Sequence, residues 1–153
     1  VRVDTSQWDR AQASYRKALE MAEQDGDREA AFVQLSKLGH VSETRGDRNE
    51  AVTYYRRALY LAFELDLPAQ RGHLLLALGR LLLDDTAHLN RAMQLLRAAE
   101  ELLPDNAEVQ RLLSRATTRR DRLVRAGVTL PASDDDLRTY ARGALERRGP
   151  PSQ

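Results

Sequence analysis

Hydrophobic residues recur along the chain at intervals of three and four, which is the spacing of one face of an α-helix. The pattern predicts seven helices, at residues 6–24, 28–45, 48–65, 68–84, 87–103, 106–126 and 134–148. The predicted N-caps of four of them are Asp27, Asp47, Asp105 and Ser133. The chain is also rich in Ala, Leu, Arg and Glu, with only 2 Phe and 8 Gly. Pattern and composition together predict an all-α fold.

Small and aromatic residues repeat across these helices at a fixed distance. Leu38-Gly39 recurs 40 residues later as Leu78-Gly79. A second set occurs three times, shifted by 40 and then 41 residues: Ala11, Tyr15 and Ala18; Ala51, Tyr55 and Ala58; Ala92, Leu96 and Ala99. A constant period of this size is typical of a solenoid built from stacked helix pairs.

These positions, with Pro104 after the last copy, resemble the pattern of the tetratricopeptide repeat family. The resemblance implies a right-handed superhelical array of antiparallel helix hairpins, of the longer variety found in bacterial regulatory and signalling proteins. In such hairpins Gly39 and Gly79 allow close approach of the two helices, and Tyr55 or Leu96 is expected to fill the gap between successive hairpins.

The repeat spacing predicts a single domain over residues 1–153, which consists of several parts. Residues 28–65 and 68–103 are predicted repeats, residues 6–24 are the second helix of a truncated repeat, and residues 149–153 are a disordered tail. Residues 106–148 form a degenerate repeat helix and a capping helix that is expected to return along it. Ser114 stands there at the close-packing position.

The truncated repeat at residues 6–24 lacks a first helix, and the chain opens on Val1 rather than Met. We therefore expect a fragment of a longer protein. In that case Trp8 and Tyr15 are partly exposed on a face that the parent protein covers.

The family resemblance implies that the first helix of each hairpin lines a concave groove in which partner segments bind. The positions that register assigns to this groove are Ser36, His40, Glu43, Leu76, Arg80, Leu83, Arg111, Arg115 and Arg119. The groove is expected to be polar at one end, apolar in the middle and basic at the other end. Because Ser36 and His40 occupy the positions where a two-carboxylate clamp needs Lys and Asn, we do not expect that clamp.

Helix 4 contains the run "HLLLALGRLLL", which is apolar on nearly its whole circumference. A helix of this kind is usually buried on all sides. Leu76 and Leu83 are then covered by a partner, by a symmetry mate or by the terminal helix of the chain, or they are shaded by neighbouring side chains.

Positive charge is concentrated in the C-terminal third. Residues 107–153 hold 10 basic and 6 acidic side chains, whereas residues 1–106 hold 14 and 17. Five arginines fall within roughly 120° of arc on helix 6 and are called here the arginine strip: Arg111, Arg115, Arg119, Arg122 and Arg125. The strip is either a docking surface for an acidic segment or a solvated helix face, and Asp134, Asp135 and Asp136 are candidates to neutralise part of it.

The sequence offers no catalytic, cofactor or metal motif: Cys is absent, and His40, His73 and His88 lack the spacing of a metal site or a catalytic triad. Membrane insertion and nucleic-acid binding are not expected, and a reducing cytoplasm is the simplest compartment. The predicted function is a non-catalytic protein–protein interaction module that binds a peptide or helical segment, acidic if the strip is used. The alternative is a regulatory or sensor segment of a larger bacterial signalling or transcription regulator that holds an internal segment or self-associates.

Overall fold

The computed structural model describes residues 5–146, and these fold into seven α-helices without strands. The helices are α1 (Thr5–Gln24), α2 (Arg28–Arg45), α3 (Arg48–Glu64), α4 (Pro68–Leu82), α5 (Leu89–Leu102), α6 (Ala107–Arg125) and α7 (Leu137–Glu146). A short 3-10 turn, Thr86–His88, precedes α5. The predicted all-α class is confirmed. The expected tail at residues 149–153 lies outside the described residues.

The chain forms two compact units. The first contains α1, α2, α3 and the part of α7 from Ala141, and the second contains α4, α5, α6 and the start of α7 up to Tyr140. In the first unit α2 packs on both α1 and α3, and in the second α5 packs on both α4 and α6. Packing between consecutive helices across short connections is the arrangement of a helical-repeat fold.

The close approach predicted at two glycines is present in both hairpins. A Cβ atom on Gly39 of α2 would lie 2.6 Å from two ring atoms of Tyr55 on α3. One on Gly79 of α4 would lie 2.5 Å from Cγ of Leu96 on α5. Tyr55 and Leu96 therefore lie on the glycine of their own hairpin. The expectation that these two side chains also fill the gap between successive hairpins stays a prediction.

Two of the predicted N-caps stand where the sequence placed them. Asp27 caps α2, with its side chain accepting a hydrogen bond from the N–H three residues on, and Asp47 precedes α3 without such a bond. The cap of α6 is Asn106 and not Asp105. The N–H of Asn106 donates a hydrogen bond to the carbonyl of Leu103 and closes a turn. Asp105 lies within this turn, before the helix begins.

The last helix begins later than expected, at Leu137 instead of after Ser133. The side chain of Asp136 accepts a hydrogen bond at 2.8 Å from the third N–H of α7 and serves as its cap. The reason lies in α5, where Arg91 and Gln94 each donate to the backbone carbonyl of Asp135 at 3.1 Å. These hydrogen bonds keep Asp135 and the residues before it outside α7.

The contacts that position α7 in the described residues come from α5 and α3, and the expectation that it would return along α6 stays a prediction. Within the second unit its start is held by α5, because the Arg91 guanidinium lies 4.5 Å from the centroid of the Tyr140 ring. Within the first unit it approaches α3, where a Cβ atom on Gly143 would lie 2.8 Å from Nη2 of Arg56.

Candidate partner-binding surface

The three groove positions predicted in the first unit have different surroundings. The hydroxyl of Ser36 donates to the carbonyl of Phe32 within its own helix, at 3.0 Å. Glu43 accepts a hydrogen bond from the phenolic hydroxyl of Tyr55 at 2.9 Å, so it joins α2 to α3. His40 is exposed. Two of the three polar groups are thus engaged inside the hairpin, and His40 alone of the three has an exposed side chain.

The apolar middle of the predicted groove is covered by the chain itself. Leu76 is 5% exposed and Leu83 is 0% exposed. Arg80, between them in sequence, forms an ion pair with Glu108 of α6 at 3.1 Å. Since the chain itself supplies this cover, the two leucines offer no apolar surface to a partner.

One edge of the arginine strip is used by the fold. Arg119 donates from Nη1 to the backbone carbonyl of Leu83 at 2.8 Å and from Nη2 to the hydroxyl of Thr86 at 2.9 Å. Arg115 pairs with Asp84 at 2.5 Å, and both of those side chains are more than half exposed. We call Arg115 and Arg119 the inner edge, because they hold the connection that follows α4.

The acidic group that faces the strip is not the one expected from sequence. Asp135 of the run Asp134 to Asp136 pairs with Arg91 of α5, at 3.5 Å between Nη2 and Oδ2. The carboxylate beside Arg115 is that of Asp84. The sequence signal for this was the acidic pair directly after the apolar run of α4, Asp84-Asp85.

The remaining arginines of the strip point away from these contacts. Arg111, Arg122 and Arg125 are exposed, and no hydrogen bond or ion pair joins the side chain of any of them to a described residue. They lie within about 60° of arc on α6, and Arg111 and Arg122 are about 16 Å apart along its axis. We call these three residues the outer edge. Their charge is not neutralised within the described structure.

The helix that carries the strip is itself strongly basic. α6 contains six arginines and only two acidic residues, Glu108 and Asp121. Glu108 pairs with Arg80, and Asp121 lies 3.7 Å from Nη2 of the adjacent Arg120. Neither carboxylate is paired with the outer edge.

The other ionisable groups give no sign of a second kind of chemistry. Nδ1 of His88 lies 2.7 Å from Oδ2 of Asp85. The side chain of Asp85 also accepts a hydrogen bond from the N–H of Ala87 and so stabilises the 3-10 turn. Within residues 5–146, no three His, Asp or Glu side chains are grouped so that they could hold a metal ion. Over the same residues, no helix combines the length and the apolar character required to cross a membrane.

Paired helices with a glycine at each crossing define a helical-repeat protein. Residues 2–29 and 34–69 match the family model of the tetratricopeptide repeat. These two matches support a tetratricopeptide repeat protein, as the spacing of the Leu-Gly and Ala-Tyr-Ala positions predicted. Repeats of this family generally mediate protein–protein interactions and typically serve as non-catalytic scaffolds. Neither the search of curated proteins nor that of solved structures found a match.

Proposed function

We propose that this protein is a non-catalytic interaction module that binds an acidic protein segment along the outer edge of the arginine strip. The observation that carries the proposal is the set of three exposed arginines, Arg111, Arg122 and Arg125, without an internal partner on one narrow face of α6. Of the nine groove positions predicted from sequence, Arg111 belongs to the outer edge, and the exposed Arg115 of the inner edge is expected to join it in binding. Leu76 and Leu83 are buried, and the roles of the other five in binding stay predictions.

Electrostatic repulsion within the helix favours such a partner. Arg122 and Arg125 are three residues apart, and like charges at this spacing destabilise a helix by about 0.2–0.5 kcal/mol per pair. A carboxylate bound between them removes that repulsion. Arginine also presents a planar fork that binds a carboxylate through two hydrogen bonds, which gives geometric selectivity in addition to charge.

The spacing of the outer edge sets the length of the partner segment. A span of about 16 Å between Arg111 and Arg122 corresponds to about five residues of extended chain at roughly 3.3 Å each. An acidic segment of six or seven residues with carboxylates near both ends therefore matches this edge.

The two arginines of the inner edge differ in how easily their present contacts can be replaced. Exposed ion pairs such as Arg115 with Asp84 contribute about 0–1 kcal/mol, so a partner carboxylate can replace Asp84 at low cost. Arg119 donates hydrogen bonds to a backbone carbonyl and to a hydroxyl, and these bonds fix the position of its side chain. Binding is therefore expected to recruit Arg115 and to leave Arg119 in place.

The test is a fluorescence anisotropy titration of a labelled heptapeptide with glutamates at both ends. Reversing two outer-edge charges, in Arg111→Glu/Arg122→Glu, is expected to weaken binding at least about tenfold. The matched control is Arg48→Glu/Arg97→Glu, which changes net charge equally at two exposed arginines on α3 and α5. An equal loss in the control would mean that affinity follows net charge alone and would refute the proposed site. An internal acidic segment of a larger regulator would use the same surface.

A further inference from the structure

A cavity of about 230 Å³ lies within the first unit, between helix α3 and the turn that joins α1 to α2. Gly26, with a φ of +68°, forms this turn. Ala22 of α1 and Ala31 of α2 line the cavity on either side of the turn, and both are only 6% exposed. Larger side chains from three helices complete an apolar wall: Leu35 of α2, Tyr60 and Leu61 of α3, and Leu145 of α7.

The residues that form this cavity are not those of the repeat pattern. At the repeat distances of 40 and 41 residues, Ala31 corresponds to Arg71 and Arg57 corresponds to Ala98. The small and the large side chain are therefore exchanged between the two hairpins. The combination of a small residue on α2 with an arginine on α3 is thus particular to the first hairpin.

The charged residues of the cavity wall differ in burial. Glu23, Asp27 and Arg28 are exposed, whereas Arg57 is only 7% exposed. Nη2 of Arg57 lies 3.4 Å from Oε2 of Glu23, and a strong charge-assisted hydrogen bond is about 2.7–2.9 Å long. Oδ1 of Asp27 accepts the hydrogen bond that caps α2. A charged ligand in the cavity therefore meets a guanidinium where the wall is buried, and charges interact more strongly there than at the surface.

We propose that this cavity binds a small aromatic carboxylate, with its ring among Leu35, Leu61 and Leu145 and its carboxylate on the guanidinium of Arg57. An apolar cavity of about 150 Å³ holds one benzene molecule. The larger volume of about 230 Å³ therefore accommodates a ring with a short carboxylate-bearing side chain. The aromatic wall residue Tyr60 favours a ring over an alkyl chain. The planar fork of arginine donates two parallel hydrogen bonds to a carboxylate.

Glu23 competes with such a ligand for the guanidinium of Arg57. Its side chain is 36% exposed, so it can turn into water when a ligand carboxylate takes its place. Partly exposed ion pairs contribute little to stability, and breaking this one costs the protein little. Removing the charge of Glu23 is therefore expected to strengthen the binding of a carboxylate and to leave the fold intact.

The experiment is a titration of the natural chain with phenylacetate, followed in two-dimensional amide NMR spectra. The backbone amides of Leu35 and Leu61 should shift with one common dissociation constant of about 1 mM or lower, as expected for an efficient ligand with about ten non-hydrogen atoms. Phenylacetamide has nearly the same shape without the charge. It should bind at least about tenfold more weakly, because hydrogen bonds to charged groups are the stronger ones.

Two variants test the charge and the volume separately. Glu23→Gln should tighten phenylacetate binding about two- to fivefold and leave phenylacetamide binding unchanged. Its matched control is Glu20→Gln, the same change at an exposed position one turn earlier on α1, which should alter neither affinity. Ala31→Leu fills the cavity and should abolish the binding of both compounds, with an unchanged or higher Tm. Because Glu23 is partly exposed, its variant decides the question even if Ala31→Leu fails to fold.

Four results would overturn the proposal. Equal affinity for phenylacetate and phenylacetamide would mean that the cavity recognises apolar bulk alone. Shifts confined to the amides of α6 would place the anion on the arginine strip. The third result is the lack of a saturable shift at Leu35 and Leu61 with millimolar phenylacetate, and the fourth is an equal effect of Glu23→Gln and Glu20→Gln.

Discussion

Replacing Gly79 with alanine tests the packing code of the repeat directly. The added Cβ would lie 2.5 Å from Cγ and 2.6 Å from Cδ2 of Leu96, which is fully buried. Favourable contacts between carbon atoms lie at about 3.5–4.0 Å, so the two side chains overlap by about 1 Å. Because Cγ is close to the backbone of α5, turning the end of the leucine side chain does not relieve the overlap.

The expected cost follows from two opposing effects. Overpacking a core by one methyl group destabilises by about 1–3 kcal/mol, and the position of the contact favours the upper value. Alanine is favoured over glycine inside a helix by about 1 kcal/mol. The net loss expected for Gly79→Ala is about 2 kcal/mol, or a fall in Tm of about 4–8 °C for a protein of this size.

The same substitution should change sign when Leu96 is first shortened. In a Leu96→Ala background the space above residue 79 is open, so Gly79→Ala should stabilise by up to about 1 kcal/mol through helix propensity alone. The coupling between the two positions is then about 3 kcal/mol. It can be measured as a double-mutant cycle by urea unfolding followed by far-UV circular dichroism. A loss of the same size in both backgrounds would show that the cost does not come from contact with Leu96.

Two further predictions compare residues that look equivalent in sequence. Asp27→Ala should cost about 1 kcal/mol of unfolding free energy, whereas Asp47→Ala should cost less than half as much because its side chain makes no capping hydrogen bond; equal losses in thermal unfolding would contradict this. Arg119→Ala should destabilise by about 1–2 kcal/mol through its lost bonds to the end of α4, whereas Arg111→Ala should be neutral within about 0.5 kcal/mol. A destabilised Arg111→Ala in the same assay would argue against the division of the strip.

The helices could be predicted from sequence because the determinants of helices are local. Apolar spacing, the cap at Asp27 and the glycine at Gly46 all act within one or two turns. The errors arose where a distant contact decides the boundary. Asn106 rather than Asp105 caps α6 because a turn precedes the helix there. α7 starts at Leu137 rather than at residue 134 because α5 binds Asp135, some 40 positions away in sequence.

The candidate site was predictable as a set of residues but not as a surface. Helical spacing alone identified the five arginines of the strip, since it fixes which side chains share a face. Their division depends on where α4 ends and which carbonyl and carboxylate it presents to α6, and no local pattern encodes that. The burial of Leu76 and Leu83 likewise depends on packing between helices.

The bond from Arg119 to the carbonyl of Leu83 has a consequence for how this surface can vary. The arginines that the fold requires and the arginines that are open to a partner occupy separate positions on one helix. The open positions can therefore drift between relatives, or be redesigned for a basic or an apolar partner, without a loss of foldability. If the outer edge binds the proposed partner, selection on recognition and selection on stability act on different residues.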